Sequence, residues 1–517
     1  MTTQGQGTAA ASPLKLRAGN SHENALAYRT ANSLLLLSVL VGACLAIISS
    51  ARLIAVPYEI DYGEGAMLDG AERIWHSQPL YPSPYAFPVV LHMYGPVAYA
   101  AVAAVLPGGR ASLPAGRLLI LICCAVLSLL LSCILRRWTG SWKIALSFGC
   151  LVLTLPAFRF WLYLLRADEI GLLFSILGVG LYVWTGKPYW SVPLFGLAIF
   201  CKYTLIAAPL AVLLHLIVNR KLKQGTAFAA ELGFAGAVAC VVLQFATGHW
   251  FAVHMLSIHA DRYSLAHFLA LAALVWASAP AVTGLALWYV AQDFRHHSGS
   301  FAAIYFATSS ITALSAGKLG ATTNHFLEWM TASCLCAGLG YALLAAKLPT
   351  RLAPITALLS VSLLVGVVIQ DRTSYQTLPQ LTECGNAYHY VRDSPSSRIL
   401  SESLSPLLIA GKPILVSDPF AYGQLVKNGR WSDRRVEQLV NQKYFDLIVL
   451  ATDPSQMKPR SSEAWSGEFM DAVIQNYRTV ARFRCRGAGV MLKPTSTSLD
   501  HAQTGASPPG SAATDAP

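Results

Sequence analysis

The chain has 517 residues, of which 54% are hydrophobic and only 12% are charged, and its formal net charge is +12. Soluble domains carry about 25% charged residues, so this composition and a mean hydropathy of +0.48 exclude an ordinary soluble protein. The basic residues lie mainly in short loops such as RRWTGSWK and NRKLKQG. Because cytoplasmic membrane loops carry this excess of Lys and Arg, the positive charge does not indicate a nucleic-acid partner.

Apolar runs of about twenty residues recur along the chain, the length that a helix needs to cross a bilayer. Residues 1–32 form a polar leader, which we expect to be disordered and cytoplasmic. The first run is too long for the core of a signal peptide, and more runs follow it, so we predict an uncleaved first helix. We expect ten to thirteen crossings. The candidate spans are 33–56, 92–108, 117–136, 143–160, 168–185, 189–200, 202–219, 226–247, 265–290, 301–317, 326–346 and 353–370.

Two details of the topology need comment. If the loop 57–91 is outside, simple alternation also puts RRWTGSWK outside, against its charge. One short apolar run within 92–160 is therefore expected not to cross, and the sequence leaves open which one. The segment FCKYTLIAAP predicts two short helices that meet at Lys202.

After residue 370 the character of the chain changes. Residues 371–493 predict a small extracytoplasmic α/β domain, and residues 494–517 a disordered tail. SRILSE, KPILVSD and FDLIVLATD are typical of short buried strands, 432–442 of a helix, and RTVARFRC with GVMLKP of a closing hairpin. Cys384 and Cys485 stand near the two ends of this domain and could form a disulfide if it is extracytoplasmic.

The acidic stretch VPYEIDYGEGAMLDGAERIW follows the first apolar run directly. Asp61 and Glu64 are three residues apart and would share a face of a helical turn. A solvated loop is the alternative for any single acid. However, the next segment contains five prolines and many aromatic residues, which favours a stiff, structured surface at the membrane interface.

Two further segments place charged residues beside apolar runs, where they are costly unless they face a cavity or a partner. YLLRADEIGLLF contains Arg166 and Asp168, and the alternative is an interfacial helix start capped by Asp168. Lys202 is expected to form an ion pair or to contact a phosphate, or else to extend to the interface.

The other candidates lie in two loops that precede spans. HMLSIHADRYS contributes Arg262 and Tyr263 to a substrate site. Its two histidines are five residues apart, which is not a usual spacing for a metal pair on one helix face. In GKLGATTNHFLEWM, Asn324 and Glu328 are four residues apart and would share a helix face. Solvation at the head of a span is the alternative for Glu328.

The order of these motifs resembles the GT-C-type membrane glycosyltransferases. An acidic loop with PLYP and YGPVAY follows the first span, and RADEIGLLFSILGVGLY, CKYTLIAAPLAVLL and GKLGATTNHFLE come next. The chain is most similar to the glycosyltransferase family 39-like proteins, which include the dolichyl-phosphate-mannose mannosyltransferase and bacterial aminoarabinose-transferase relatives. The implied fold is an all-α polytopic membrane domain of about ten to thirteen helices with a small α/β domain at its C-terminal end.

The resemblance also implies a reaction. The chain would be an inverting transferase in the bacterial inner membrane, moving a sugar from a polyprenyl-phosphate carrier to a lipid, glycan or protein acceptor. Asp61 would be the general base and Asp168 a second catalytic acid, with Arg166 or Lys202 near the lipid phosphate. The family's usual Asp-Glu doublet is Asp61-Tyr62 here, and Glu64 is displaced, so we place Glu64 among the substrate-binding residues. The resemblance leaves open whether a divalent metal joins these acids.

A transporter or lipid flippase with a structural acidic loop is the alternative function. It would require acids or broken helices near the bilayer midplane, often in two repeated halves. Lys202 and Glu231 are the hints of this kind in the sequence, and no repeated halves are visible.

Overall fold

The structure, a computed structural model, describes residues 22–258, 262–297, 299–347, 351–456, 464–484 and 488–495. Most of the described chain is helical and forms a membrane domain, which a smaller domain with one β-sheet follows. The helices of the membrane domain are α1 (His22–Ile54), α2 (Gly63–Trp75), α3 (Pro96–Ala103), α4 (Leu113–Thr139), α5 (Trp142–Leu151), α6 (Pro156–Arg159), α7 (Asp168–Thr185), α8 (Val192–Cys201), α9 (Ala207–Val218), α10 (Leu222–Ala246), α11 (Leu265–Ser278), α12 (Pro280–Arg295), α13 (Phe301–Thr312), α14 (Leu327–Lys347) and α15 (Leu352–Asp393).

Within the described residues, six helices are long and apolar enough to cross a membrane, and α11 with α12 forms a pair bent by 98° that adds a seventh. Four shorter apolar segments pack among them, including α8 and α9. The polytopic membrane protein and the all-α class of its main domain are therefore confirmed. As predicted, the segment around Lys202 is two short helices, with Lys202 at the end of α8.

The predicted span 92–108 contains only α3, whose eight residues are too short to cross. This removes the conflict in the charge pattern. With α4 as the second crossing, Arg136 and Arg137 at its end lie on the same side as the start of α1. When the four shorter apolar segments are counted as crossings as well, alternation predicts that Arg220 and Arg295 lie on that side too. The segments 57–112, 160–167 and 202–206 meet at the other end of the bundle, where Leu165 N donates to Glu64 and Gly95 N donates to Cys201 O. By the positive-inside rule we expect that end to be extracytoplasmic.

Two helices extend beyond the predicted bounds. α1 begins at His22, within the predicted leader, and α15 continues to Asp393, beyond the predicted boundary at residue 370. In both cases the predicted bound was set where the sequence becomes less hydrophobic. That point marks where the helix leaves the membrane, and the helix itself continues beyond it. Residues 1–21 and 496–517, which include most of the predicted disordered leader and nearly all of the predicted tail, lie outside the described residues.

The tail domain has a four-stranded sheet with the order β1-β2-β4-β3, in which β1 and β2 are parallel and the other pairs antiparallel. The predicted strands SRILSE and FDLIVLATD, the helix near 432–442 and the closing hairpin are confirmed. Its elements are β1 (Ile399–Ser401), α16 (Ser405–Ile409), α17 (Pro419–Lys427), α18 (Arg434–Asn441), β2 (Leu447–Leu450), α19 (Gly467–Asn476), β3 (Tyr477–Arg484) and β4 (Ala488–Pro494).

KPILVSD is not a strand of this sheet, contrary to the prediction. Instead, its Val416 forms an isolated parallel bridge with Val89 of the first loop. Val89 donates its N–H to Leu415 O at 2.9 Å and accepts from Ser417 N at 3.0 Å. The apolar run is buried, as a strand would be, but its partner is the loop that follows α1. The tail domain is thereby fastened to that loop by backbone hydrogen bonds.

A buried carboxylate makes a second connection between these two parts. Glu59, which is 4% exposed, accepts hydrogen bonds from Leu404 N at 3.2 Å and Ser405 N at 2.9 Å, at the start of α16. α16 in turn packs on α2. Cys384 of α15 is disulfide-bonded, and its predicted partner Cys485 lies outside the described residues.

We expect Glu59→Ala to loosen the tail domain, because two buried backbone N–H groups lose their acceptor. An unsatisfied buried donor costs about 1–3 kcal/mol. Thermal unfolding of the purified protein in detergent should show a lower midpoint, and limited proteolysis should release the tail domain faster. Glu468→Ala, at an exposed position of α19, is the control. Equal unfolding midpoints for the two variants would contradict this connection.

Candidate functional site

The acidic loop turns inward as soon as it leaves α1. α2 begins at Gly63, and its first nine residues are buried. All five acids of the stretch have partners within the fold, and the partner of Asp61 is Arg166. Glu59 binds the start of α16, Glu64 binds Arg117, Asp69 binds Arg73, and Glu72 accepts from Ala111 N. Burial opposes ionisation of Asp69, but His92 and Arg73 together lower its pKa.

Glu64 and Arg117 form an ion pair with no exposed surface. Nε and Nη2 of Arg117 each donate to a different oxygen of Glu64 at 2.7 Å, a bidentate arrangement. The remaining Arg117 donors reach the carbonyls of Leu53, Val56 and Tyr58 at the exit of α1. The carboxylate also accepts from three backbone N–H groups, those of Ile60, Asp61 and Leu165. This pair therefore holds α1, the acidic loop, α4 and the segment before α7 together.

Asp61 faces the other way from Glu64 and is 20% exposed at its side chain. Its Oδ1 lies 2.8 Å from Nη2 of Arg166 and accepts from Gly63 N at 3.1 Å. A Cβ on Gly63 would lie 1.6 Å from the Arg166 guanidinium, so this approach requires glycine. Burial opposes the charge of Arg166, but Asp61 raises its pKa well above the usual value.

A second ion pair lies beside the first. Nζ of Lys202, at the break between α8 and α9, contacts Oδ1 of Asp168, the first residue of α7. Asn324 donates to the same oxygen at 3.1 Å. Asp168 is not the cap of α7, because the N-cap residue is Ala167 and it makes no side-chain bond. Oδ2 of Asp168 is buried without a hydrogen-bond partner.

These pairs border one cleft with an empty volume of about 750 Å³, which we call the cationic cleft. Arg166, Lys202 and Lys318 line it, and Tyr62 and Tyr94 supply aromatic walls. Its far side belongs to the tail domain, because Phe420 of α17 lies 5.6 Å from the Tyr62 ring. Asp61 sits at its edge through the ion pair with Arg166. The arrangement suits an anionic group, since three side-chain cations meet at one surface.

A smaller cleft of about 310 Å³ continues from the cationic cleft. Asp168, Lys202, Asn324 and Glu328 line it. Asn324 lies in a 3₁₀ turn just before α14 and Glu328 in the first turn of α14, and both side chains face this cleft. Glu328 Oε1 accepts from Ala208 N at 3.1 Å and from Ser175 and Tyr305 hydroxyls at 3.3 Å. Glu328 is therefore packed within the bundle rather than solvated at the head of its span.

The structure does not bring Arg262 and Tyr263 into this cleft. Both side chains are exposed, and their segment runs beside Lys318 through a backbone bridge at Tyr263. Lys318 takes the place in the lining that we had assigned to them.

Sequence reasoning missed Arg117 and did not single out Lys318 as a site residue. A lone cation just inside the apolar run of α4 was the available signal for Arg117.

His254 is a structural residue. It has no exposed surface, its Nδ1 accepts from His92 N at 3.2 Å, and its Nε2 lies 2.9 Å from Pro82 O. His259 and Asp261 of the same motif lie outside the described residues. No group of three or more His, Cys, Asp or Glu side chains that could hold a metal occurs in the part of the chain that the structure describes. Because Asp61 and Asp168 are each paired with a cation, the residues present do not fit a metal site.

No protein-family model matches the chain, and no curated protein matches it. Solved structures do match. ArnT from Cupriavidus metallidurans, in the apo state, superposes with a TM-score of 0.60 at 13% identity, over 88% of this chain and 97% of that one. The same enzyme bound to undecaprenyl phosphate gives a TM-score of 0.57 at 13% identity, with the same coverage.

The archaeal oligosaccharyltransferase AglB from Archaeoglobus fulgidus, in complex with an inhibitory peptide and a dolichol-phosphate, is a further structural match. Its TM-score is 0.51 at 12% identity, over 90% of this chain and 74% of that one. Both matched proteins are GT-C glycosyltransferases. The chain therefore has the GT-C fold, as the order of its sequence motifs predicted.

We expect Arg117→Met to lower the free energy of unfolding by about 3–5 kcal/mol, because it leaves the Glu64 carboxylate charged and unpaired in a dry site. The apparent unfolding midpoint in detergent measures this loss. Arg110→Met, at an exposed position nearby, should have little effect. The double variant Glu64→Gln with Arg117→Met should recover part of the loss. No recovery would show that the two side chains act independently.

We also expect His254 to make the fold acid-sensitive. Burial lowers the pKa of His254 to about 4, with a further contribution from His92, whereas an unfolded histidine titrates near 6.5. Below about pH 6.5 the histidine is protonated in the unfolded chain but stays neutral in the folded chain. The free energy of unfolding therefore decreases as pH falls toward about 4. This contribution is about 1.4 kcal/mol per pH unit.

The measurement is the unfolding midpoint as a function of pH. His254→Gln should flatten the slope between pH 6.5 and 4, while His76→Gln, at an exposed position, should keep it. An unchanged slope in His254→Gln would assign the acid sensitivity to other groups.

Proposed function

We propose that the chain is an inverting glycosyltransferase that moves a sugar from a polyprenyl-phosphate carrier to an acceptor at the extracytoplasmic face of a bacterial inner membrane. The observation that carries the proposal is the cationic cleft. It brings one partly exposed carboxylate, Asp61, beside Arg166, Lys202 and Lys318 at the outer ends of the membrane helices. The fold shared with ArnT and AglB supports the same class of reaction.

The cations suit the donor phosphate. In a polyprenyl-phosphate sugar, the phosphate lies between a tail that must stay in the bilayer and a headgroup that must reach water. A site at the outer ends of membrane helices meets both requirements. Negative charge grows on the phosphate as the sugar leaves, and fixed cations in a partly dry cleft stabilise it. That ArnT has been solved with undecaprenyl phosphate and AglB with dolichol-phosphate supports a donor of this kind.

Asp61 suits the general base. It takes the proton of an acceptor hydroxyl while that oxygen attacks the anomeric carbon, and the bond from this carbon to the phosphate oxygen breaks. The single displacement inverts the anomeric carbon. In the structure Asp61 is paired with Arg166, so a donor phosphate that binds Arg166 would compete for the guanidinium and leave the carboxylate available to the acceptor.

The other predicted residues lie at different distances from the reacting atoms, and we assign their roles accordingly. Asp168 orients Lys202 and contacts Asn324, so we assign it to positioning the cation. Glu64 positions Asp61 through the backbone N–H that it accepts. Glu328 lines the smaller cleft, where it can hold bound water or a sugar hydroxyl. Arg262 and Tyr263 can meet an acceptor only outside the cationic cleft. The acceptor is a lipid, a glycan or a protein.

Asp61→Asn should fold normally and lose transfer by at least about 100-fold, the lower end of what general-base catalysis contributes. The purified wild type and variant are incubated with membrane lipids that carry polyprenyl-phosphate sugars, and consumption of each lipid-sugar is followed by mass spectrometry. Asp471→Asn, an exposed aspartate of the tail domain, is the control for the substitution. Full activity in Asp61→Asn would refute its role, and flux of lipid-sugar across proteoliposomes without a new glycosidic bond would favour a transporter.

A further inference from the structure

A second cleft lies between the first extracytoplasmic loop and the tail domain, and nothing in the proposed donor chemistry uses it. Its empty volume is about 620 Å³. One wall is the segment 84–89 of the first loop, and the other is formed by α17, α18 and the turn between them. The lining residues that carry the argument are Tyr85, Phe87, Tyr422, Arg430, Trp431 and Arg435.

The aromatic residues of this cleft form a contiguous surface. The Trp431 ring lies 5.1 Å from Tyr85 and 6.4 Å from Tyr422, and Tyr85 also meets Trp250 at 5.9 Å. Trp431 is half-buried and Tyr85 is 66% exposed. Tyr85 and Trp431 present apolar ring faces to solvent, which suit the C–H face of a sugar ring, and Tyr422, which is only 4% exposed, packs behind Trp431.

The charge of the cleft has one sign. Arg430 and Arg435 flank Trp431 in the sequence, both are exposed, and among the described residues neither has an ion-pair partner. No Asp or Glu is among the described residues that line the cleft. Two free guanidinium groups beside aromatic rings match a phosphate or carboxylate, which arginine binds through two parallel hydrogen bonds.

The two walls are held in place before any ligand binds. Val89 pairs with Val416 at the base of the cleft, and Leu91 donates to the Ser417 hydroxyl at 2.6 Å. Because this junction is made of backbone hydrogen bonds, the two walls keep their relative position. A ligand therefore needs to order only the arginine side chains as it binds.

The second cleft shares a wall with the cationic cleft. Phe420 and Ala421 of α17 line the cationic cleft, and Tyr422 lines the second one. The two spaces are thus separated by about the diameter of one helix, roughly 10–12 Å. A saccharide of at least two or three sugar units would be needed to reach around α17 from one space to the other.

We infer that this cleft binds an anionic saccharide, a sugar that carries a phosphate or carboxylate, as part of the acceptor. The inference rests on the proposed function, because it names the class of acceptor that would meet Asp61. Its test is independent of that function, because binding is measured without transfer.

The experiment uses the full-length protein in detergent and four probes: glucose 6-phosphate, glucuronate, glucose and inorganic phosphate. Saturation-transfer NMR titrations give the Kd of each. We expect one of the two anionic sugars to bind at least tenfold more tightly than glucose and than inorganic phosphate. Preference for glucose 6-phosphate would identify a phosphorylated acceptor, and preference for glucuronate a carboxylated one.

Variants locate the binding. Arg430→Gln with Arg435→Gln should weaken binding of the anionic sugar at least tenfold, and Trp431→Ala should weaken it as well. Arg434→Gln is the matched control, because Arg434 is an exposed neighbour on α18 that does not line the cleft. Equal unfolding midpoints for the variants exclude a loss of fold as the cause.

Three results would overturn the inference: no binding of either anionic sugar, an equal loss in Arg434→Gln, or inorganic phosphate binding as tightly as the sugars with no effect of Trp431→Ala. Asp61→Asn should bind the sugar like wild type. If the protein binds the sugar but consumes no lipid-sugar, the inference about the cleft stands and the proposed function is wrong. If it consumes lipid-sugar but does not bind the anionic sugar, only the inference about the cleft is wrong.

Discussion

The ion pair between Glu64 and Arg117 is the interaction on which the site depends. A fully buried pair is costly to desolvate and is maintained only when its remaining donors and acceptors are satisfied. Here the guanidinium also binds carbonyls at the end of α1, and the carboxylate also accepts from N–H groups of the acidic loop and of the segment before α7. The pair fixes the direction in which the chain leaves the first membrane helix, and it turns Asp61 toward Arg166.

The charges around this pair are arranged by depth. The fully buried carboxylate of Glu64 has five donors, whereas Asp61, one turn away, has one cation and partial access to water. Closer to the bundle, Asp168 holds Lys202 at the break between two short helices. This leaves cations rather than acids on the surface of the cleft, although the loop has five acids within residues 56–75. The acids of that loop act largely by fixing the positions of arginine side chains and of backbone N–H groups.

The sequence predicted the membrane class and most helices, because hydropathy over about twenty residues reports burial in lipid directly, and the GT-C fold was implied by the family resemblance of its motifs. It also predicted the break at Lys202 and the helix, two of the three isolated strands and the hairpin of the tail domain. It could not assign KPILVSD, because an apolar run shows that a segment is buried but not what it is buried against. It missed Arg117 for a similar reason, since the partners of a lone cation in an apolar helix lie 53 or more residues earlier in the chain. Local spacing likewise suggested that Asp61 and Glu64 would act together, whereas the start of α2 at Gly63 directs them to opposite sides.

The backbone bridge between Val89 and Val416 has a mechanical consequence. The first loop carries Asp61 and Tyr62, and α17 carries Phe420 on the opposite side of the cationic cleft. The loop is joined to the tail domain by main-chain hydrogen bonds, and it is joined to α1 and α4 by the pair of Glu64 and Arg117. The first loop therefore anchors the tail domain to the membrane helices. A substrate meets a cleft whose two sides are already held at a fixed separation.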